Sequence, residues 1–196
     1  MPDFAHLYNM VPLAISPPKR YILTGTPGSG KTSVINALAV RGYTTVQEAA
    51  TAAIAEAQQH GVAAPWQYPE FIDTIVHLQQ QRQRNVSSGL QFYDRSPICS
   101  YALARYLGFL PSTCLMNEIE RMATESVYEK QVFFLANLGF IVNTEARRIS
   151  FEDALQFERQ HEEAYQEWGY QMIKVPVAPV DERCDQILKE VCRLSR

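Results

Sequence analysis

Residues 20–33 of the chain read RYILTGTPGSGKTS, and this stretch decides the fold. Strand-favouring residues, Tyr21 to Thr24, lead directly into a glycine-rich turn. Residues 25–32 match the pattern G-x-x-x-x-G-K-[ST] at every fixed position. Apolar residues at Val34, Ile35 and Leu38 then predict a helix that buries one face. A strand, a glycine-rich turn and a helix in this order predict one βα unit of an α/β domain.

The residue types in this turn are those that phosphate binding requires. Gly28 and Gly30 allow successive backbone N–H groups to point into one concavity around phosphate oxygens, and the helix that follows offers its unpaired N–H groups to the same anion. Lys31 places a cation on the β- and γ-phosphates, and the Thr32 hydroxyl is placed to ligate Mg²⁺. An ordinary strand-to-helix turn would not require the Lys-Thr pair. We therefore predict an ATP-binding loop formed by Gly25, Thr26, Pro27, Gly28, Ser29, Gly30, Lys31, Thr32 and Ser33.

The composition excludes several classes of protein. The chain has 196 residues, of which 46% are hydrophobic and 20% are charged, and this mixture is typical of a globular protein. Eighteen Lys and Arg residues against 21 Asp and Glu residues give a net charge of -3, which disfavours general nucleic-acid binding. We expect no membrane span, because no apolar run approaches the length that one needs. The four cysteines form no Cys-x-x-Cys pair, and no targeting signal is evident, so we expect reduced thiols and a cytoplasmic location.

The rest of the chain alternates strand-like and helix-like segments. Residues 1–18 contain four prolines and are predicted to form an N-terminal arm, and residues 19–196 are predicted to form the nucleotide-binding domain. Strands separated by helices predict a parallel sheet that is covered on both faces, a three-layer α/β domain. The predicted strands are Tyr21–Thr24, Tyr43–Gln47, Leu90–Tyr93, Val132–Leu135 and Tyr170–Val175, and the predicted helices are Ser33–Arg41, Ala49–His60, Glu70–Val86, Pro97–Leu107, Thr113–Thr124, a helix that opens at Ser150, and Asp181–Leu194.

Two carboxylates follow predicted strands, where the ligand crevice of a parallel sheet lies. Asp94 follows the apolar residues Phe92 and Tyr93 at the end of the third predicted strand and occupies the position of a Walker-B carboxylate, a ligand for Mg²⁺. Its alternative role is to cap the helix that begins near Pro97, a role that Ser96 could also fill. Glu48 follows the second strand and could accept a hydroxyl proton. Its alternative is a solvated glutamate in the first turn of a helix.

Basic residues in a long connection offer a further set of candidates. Arg147 and Arg148 lie in a stretch that has neither strand nor helix periodicity, residues 137–149. Two arginines in a long loop could close over phosphates and stabilise the charge that is transferred. The alternative is a solvated basic pair on the surface.

Aromatic residues provide a candidate for the second substrate. The segment Trp66–Tyr68 could stack on a planar acceptor whose edge is read by Gln79 or Gln80, although packing of these aromatics accounts for the pattern equally well. His161 lies on the apolar stripe of the predicted sixth helix, and we predict that it is packed in the interior rather than acting as a ligand.

Taken together, these motifs resemble those of P-loop kinases. The triplet Asp94-Arg95-Ser96 and the preceding Glu48 are similar to motifs of the deoxynucleoside kinases. The chain resembles the AAA-type single-domain ATPases more closely. Three segments carry this resemblance: Glu48-Ala49-Ala50, His161 to Pro176, and Val180–Arg183. That family includes the ribosylnicotinamide kinase domain of bifunctional NAD-biosynthesis regulators. The resemblance covers about residues 20–194.

This resemblance implies a five-stranded parallel sheet in the order 2-3-1-4-5. It also implies that adenine lies near the loop from Pro176 to Arg183 and that the acceptor lies between Glu48, the region from Trp66 to Gln80, and Arg95. The chain departs from the pattern in two places. The connection after the fourth strand carries only Arg147 and Arg148 in place of an Arg-x-x-x-Arg-x-Arg series, and Asp94 stands where deoxynucleoside kinases commonly have glutamate.

These observations predict an ATP- and Mg²⁺-dependent kinase that acts on a small hydroxyl acceptor, nucleoside-like or ribosylnicotinamide-like. The expected catalytic residues are Lys31, Glu48, Asp94, Arg95, Arg147 and Arg148, and the expected metal ligands are Thr32 and Asp94. The sequence leaves open whether Glu48 or Asp94 is the base, and it leaves a homodimer open. The alternatives are an ATP-hydrolysing switch that binds a protein partner and a nucleotide-binding scaffold without turnover. The chain lacks an Asn-Lys-x-Asp tetrad, which disfavours a small GTPase.

Overall fold

A parallel β-sheet forms the centre of the computed structural model, which describes residues 17–86, 88–138 and 151–195. In these ranges the sheet contains β1 (Lys19–Thr24), β2 (Thr44–Val46), β3 (Leu90–Asp94), β4 (Gln131–Leu135) and β5 (Gln171–Val175). The strands lie in the order β2-β3-β1-β4-β5, and every neighbouring pair is parallel. The sheet order that the resemblance implied is therefore confirmed.

Helices connect the strands and cover both faces of the sheet. They are α1 (Lys31–Val40), α2 (Ala49–Gln59), α3 (Glu70–Arg84), α4 (Pro97–Tyr106), α5 (Thr113–Thr124), α6 (Phe151–Glu167) and α7 (Val180–Leu194). The predicted boundaries agree with these to within two residues. A short 3-10 helix, Pro65–Gln67, precedes α3 and contains the aromatic residue Trp66.

Alternating side chains along the strands divide the interior into two apolar layers. On one face, residues such as Tyr21, Leu23 and Phe133 pack against α1 and α7. On the other face, residues such as Ile22 and Val132 pack against the layer formed by α3 to α6. Because all five described strands run in the same direction, their carboxyl ends meet at one edge of the sheet. The predicted site residues at this edge, at or after the ends of β1, β2 and β3, are Lys31, Glu48, Asp94 and Arg95.

Several sequence predictions concern residues outside the described ranges. Most of the predicted arm, residues 1–18, and the arginine pair Arg147 and Arg148 lie there, so their roles remain predictions. All four cysteines lie within the described ranges and are free thiols, with Cys99 and Cys184 buried. Among the described helices, none is both long enough and apolar enough to span a membrane.

Candidate functional site

The loop between β1 and α1 has the backbone conformation that its glycines predict. Gly25, Gly28 and Gly30 have φ angles of 138°, 82° and 75°, which L side chains rarely adopt. The Ser29 N–H donates a hydrogen bond to the Thr26 carbonyl at 3.2 Å, and α1 begins immediately afterwards at Lys31. The loop therefore presents the amino end of α1 at the carboxyl edge of the sheet, as anion binding requires.

The Lys31 ammonium lies within this loop. Its Nζ donates to the carbonyls of Gly25 and Thr26 at 2.8 and 2.9 Å and to the Ser29 hydroxyl at 3.2 Å. These contacts hold the cation among the backbone groups that would surround a phosphate. Thr32 lies next to it in the first turn of α1 with an exposed side chain, so its hydroxyl is accessible to a ligand.

Gly25 is confined by the neighbouring strand as well as by its φ angle. A Cβ at this position would lie 2.5 Å from the Leu135 carbonyl oxygen, whereas a Cβ on Gly42 (φ 89°) would meet nothing within 4 Å. We expect Gly25→Ala to lower the free energy of unfolding by about 2 kcal/mol or more, and Gly42→Ala by about 1 kcal/mol. Chemical denaturation of both variants would measure the difference, and equal losses would contradict the close approach seen at Gly25.

A buried arginine that the sequence analysis missed supports the loop from α7. Arg183 is 1% exposed, and its Nη1 donates to the Ser29 carbonyl at 2.7 Å. Its Nε and Nη2 form no hydrogen bond to any part of the chain that the structure describes. The sequence feature that could have identified Arg183 is its position one turn before Ile187 on the buried stripe of α7, where an arginine is unusual.

Asp94 ends β3 beneath the loop and is almost completely buried, at 4% exposure. Burial raises the pKa of Asp94 to about 6, while the charge of Lys31 acts to lower it. Its Oδ1 atom accepts no hydrogen bond from the described residues. The N-cap position of α4 is held by Ser96, so helix capping does not account for Asp94. A buried carboxylate oxygen without a donor is suited to a cation.

The raised pKa of Asp94 has a consequence for stability. Because the pKa of Asp94 is higher in the folded protein than its ordinary value, the protonated carboxyl group favours folding. This contribution to stability is complete below about pH 4 and is lost as the pH rises through about 6. We therefore expect Asp94→Asn to increase the free energy of unfolding at pH 8 by roughly 2 kcal/mol, and to have little effect at pH 4. Denaturation of the metal- and nucleotide-free protein at both pH values tests this; a loss of stability at pH 8 would contradict it.

The next residue, Arg95, pairs with Glu48. Its Nε lies 2.7 Å from Glu48 Oε1, and the two side chains are only 9% and 13% exposed. Burial opposes the charged form of Arg95, but Glu48, Cys99 and Asp94 together outweigh it and raise the pKa of the guanidinium above its ordinary value. The Thr51 hydroxyl donates to Glu48 Oε2 at 2.9 Å. Glu48 is therefore a partly buried, ion-paired carboxylate and not a solvated residue of the first helical turn.

Helix α6 completes the site from above the sheet edge. His161 Nε2 lies 3.1 Å from Arg95 Nη1, and Tyr165 is hydrogen-bonded to Ser96 at 2.8 Å. Glu158, one turn earlier, accepts a hydrogen bond from Thr26 of the P-loop at 3.4 Å. His161 is buried as predicted. Its contact with a predicted catalytic residue was not anticipated, although the spacing 158, 161, 165 places the three on one helix face.

The glutamines proposed to read an acceptor make hydrogen bonds within the helical layer. Gln79 is buried and accepts from the Ser100 hydroxyl of α4 at 3.2 Å. Gln80 donates to Glu118 of α5. Trp66 packs, partly buried, beside α2 and α3, and Tyr68 is 56% exposed. These contacts give the glutamines a packing role, and their role in recognition remains a prediction.

Together, the glycine-rich loop after β1, the order of the strands and the carboxylate at the end of β3 define a P-loop protein. A family model described as an AAA domain matches residues 20–183. Because this match covers well over half of the chain, the protein belongs to the AAA domain family. A search of curated proteins found no match.

Solved structures of nucleoside and nucleotide kinases share the fold. Deoxyadenosine kinase from M. mycoides with bound dCTP is 14% identical, with a TM-score of 0.57, and the match covers 89% of this chain and 99% of that one. The same kinase with the products dCMP and dCDP is 16% identical, with a TM-score of 0.52 and the same coverage. Thymidylate kinase from Candida albicans is 12% identical, with a TM-score of 0.54, covering 91% of this chain and 93% of that one. Identities this low show a common fold.

Proposed function

We propose that the protein transfers the γ-phosphoryl group of ATP to a hydroxyl group of a small nucleoside-like or ribosylnicotinamide-like acceptor. The observation that carries this proposal is the ion pair between buried Arg95 and partly buried Glu48, at the sheet edge that carries the P-loop. Asp94 lies between the two regions, because it ends β3, and β3 lies between β1, which leads to the P-loop, and β2, which leads to Glu48. A kinase needs a loop that binds the phosphates of ATP and, nearby, a group that binds the acceptor hydroxyl. Here these two parts would lie on either side of one carboxylate.

The nucleotide half of the proposed site consists of the P-loop and Lys31. The backbone N–H groups of the loop and the first turn of α1 would bind the β- and γ-phosphate oxygens. Lys31 would exchange its hydrogen bonds with the loop for contacts with these oxygens. Arg147 and Arg148 remain proposed partners for the charge that develops during transfer.

Mg²⁺ fits the residues at this edge. The accessible Thr32 hydroxyl and the unpartnered Asp94 Oδ1 are oxygen ligands, the type that Mg²⁺ prefers, and we propose that they hold it, Asp94 directly or through water. When bound, Mg²⁺ would supply positive charge that neutralises the β- and γ-phosphates.

The acceptor half consists of Glu48 and Arg95. An acceptor hydroxyl oxygen attacks the γ-phosphorus, its O–H bond breaks, and we assign the proton to Glu48. The new O–P bond forms as the bond from the γ-phosphorus to the β–γ bridging oxygen breaks, and ADP leaves. Arg95 holds the Glu48 carboxylate at Oε1 and keeps this base in a fixed position. We assign proton transfer to Glu48 because Asp94 is deeper in the interior and is better suited to the metal.

An ATP-hydrolysing switch is the second candidate, and the match to the AAA domain family is the observation that favours it. Such a protein needs the P-loop, Lys31 and Asp94, but it does not need an Arg–Glu ion pair beside them. The two functions therefore differ in whether an acceptor other than water stimulates turnover.

A panel of acceptors tests the proposal. ADP release from Mg²⁺-ATP would be measured with nucleosides, deoxynucleosides, nucleoside monophosphates and ribosylnicotinamide. We expect one class to stimulate release and Arg95→Ala to remove the stimulation. Slow release that no acceptor changes would favour the hydrolytic switch, and tight ATP binding without release would favour a scaffold.

A further inference from the structure

The hydrogen bonds of His161 define its protonation state. The Nδ1 atom lies 2.8 Å from the Phe157 carbonyl oxygen, which can only accept, so Nδ1 carries a proton and donates it. The Nε2 atom lies 3.1 Å from Arg95 Nη1, and a guanidinium can only donate. Nε2 must therefore accept through its lone pair. Both contacts are satisfied by one species, the neutral imidazole with its proton on Nδ1.

The backbone conformation of Arg95 places its buried guanidinium where it needs hydrogen-bond acceptors. Its φ angle of 75° lies in the left-handed region, which is uncommon for a residue with a side chain and costs on the order of 1 kcal/mol. This conformation directs the side chain from the end of β3 to both Glu48 and His161. The guanidinium is thus held at two atoms, Nε by the carboxylate and Nη1 by the imidazole. Loss of either contact would leave a buried donor unpaired.

We propose that His161 is a positioning residue that holds Arg95, and through it Glu48, in the geometry that takes the acceptor hydroxyl. This inference rests on the proposed function of the Arg95–Glu48 pair. His161 itself is 1% exposed and touches the reaction only through Arg95. The imidazole therefore acts as a neutral hydrogen-bond acceptor and not as a general acid, a general base or a metal ligand.

Among the described residues, Glu158 and Cys99 are titratable side chains close to His161. They bear on the alternative protonation state, in which His161 is a cation. Glu158 lies one turn earlier on α6; burial raises the pKa of its carboxyl group, and a positive charge on His161 would act to lower it. Cys99 is buried nearby: burial raises the pKa of its thiol, but His161, Arg95 and Thr24 together outweigh burial and lower the pKa to about 5. A thiolate on Cys99 paired with a cationic His161 would place an N–H of the imidazolium against an N–H of Arg95. The 3.1 Å contact between Nε2 and Nη1 disfavours that pair.

Nitrogen NMR of the ligand-free protein tests the tautomer without any activity measurement. The chain has four histidines, and the spectrum of the His161→Gln variant assigns the resonances of His161 in ¹⁵N-histidine-labelled protein. At pH 7.5 we expect the His161 Nδ1 atom to have the ¹⁵N chemical shift of a protonated nitrogen. We expect Nε2 to have the shift of an unprotonated nitrogen that accepts a hydrogen bond. Two protonated nitrogens, or a proton on Nε2, would overturn the proposal.

A matched pair of variants tests the positioning role. In His161→Gln, the side-chain oxygen can reach the place of Nε2 and accept from Arg95; in His161→Asn, the shorter amide reaches only the place of Nδ1. We expect Asn to lower kcat/KM for the acceptor about 10- to 100-fold with little change in KM for ATP, and Gln to restore most of this loss. Equal losses in both variants, or no loss in Asn, would show that the contact does not position Arg95.

The two experiments separate failure of this inference from failure of the proposed function. If no acceptor is phosphorylated, the proposed function fails, and the NMR measurement still decides the state of His161. The side-chain Nε–H resonance of Arg95 supplies a structural readout for the variants. We expect it to move in His161→Asn and to remain near its wild-type position in His161→Gln; a resonance unchanged in both variants would contradict the link between the two residues.

Discussion

Lys31→Ala is expected to abolish ATP-dependent phosphoryl transfer, lowering kcat/KM by about 1,000-fold or more. The ammonium lies within the P-loop, where its Nζ contacts two loop carbonyls and one hydroxyl. Removing it takes away both the charge on the β- and γ-phosphates and a support of the loop. A coupled assay of ADP release with the stimulating acceptor, at saturating Mg²⁺-ATP, measures the effect.

An exposed lysine on α7 provides the control for this substitution. Lys189→Ala removes the same charge from the surface and should leave kcat/KM unchanged. Thermal unfolding of both variants separates loss of the cation from loss of the fold, because Lys31→Ala also removes three hydrogen bonds within the loop. Retention of transfer in a folded Lys31→Ala protein would mean that the P-loop does not carry the chemistry.

Glu48→Gln is expected to lower kcat about 100- to 10,000-fold while ATP affinity changes little. Glutamine keeps the size of the side chain and one oxygen for Arg95 Nε, but it cannot take the hydroxyl proton. The loss should therefore appear in kcat with the acceptor and not in the dissociation constant of the nucleotide. Single-turnover kinetics and titration of ATP measure the two quantities separately.

The matched control for Glu48 is Glu56→Gln, an exposed glutamate on the same helix, α2, which should have wild-type activity. Comparison with Asp94→Asn settles which carboxylate is the base. A metal ligand at Asp94 predicts that its loss changes the Mg²⁺ dependence of turnover, whereas loss of the base at Glu48 does not. If Glu48→Gln retains full kcat, the assignment of the base to Glu48 is wrong.

The sequence predicted the fold because its signals were local. The P-loop, the glycine stops and the alternation of strand and helix patterns depend on neighbouring residues, and the structure agrees with their boundaries. Glu48 and Asp94 could also be found locally, since each follows a strand of a parallel sheet. Their placement at one edge needed only the rule that the carboxyl ends of such strands meet.

The rest of the site depends on contacts between distant segments. His161 approaches Arg95 across 66 positions, and Arg183 approaches Ser29 across 154 positions. No spacing rule links such pairs before the helices are packed on the sheet. Polar residues on otherwise apolar helical stripes are the available signal. His161 stood out in this way, Arg183 was missed although it has the same feature, and both contact residues of the proposed site.

The most direct test of the account follows the γ-phosphoryl group itself. Protein, Mg²⁺ and ATP labelled at the γ-phosphate would be incubated with the acceptor panel, and the labelled products would be separated. We expect label in an organic phosphate ester of one acceptor class, formed in an amount equal to that of ADP. This product should be absent with Lys31→Ala and strongly reduced with Glu48→Gln. Label found solely as inorganic phosphate, at a rate that no acceptor changes, would contradict the proposed kinase.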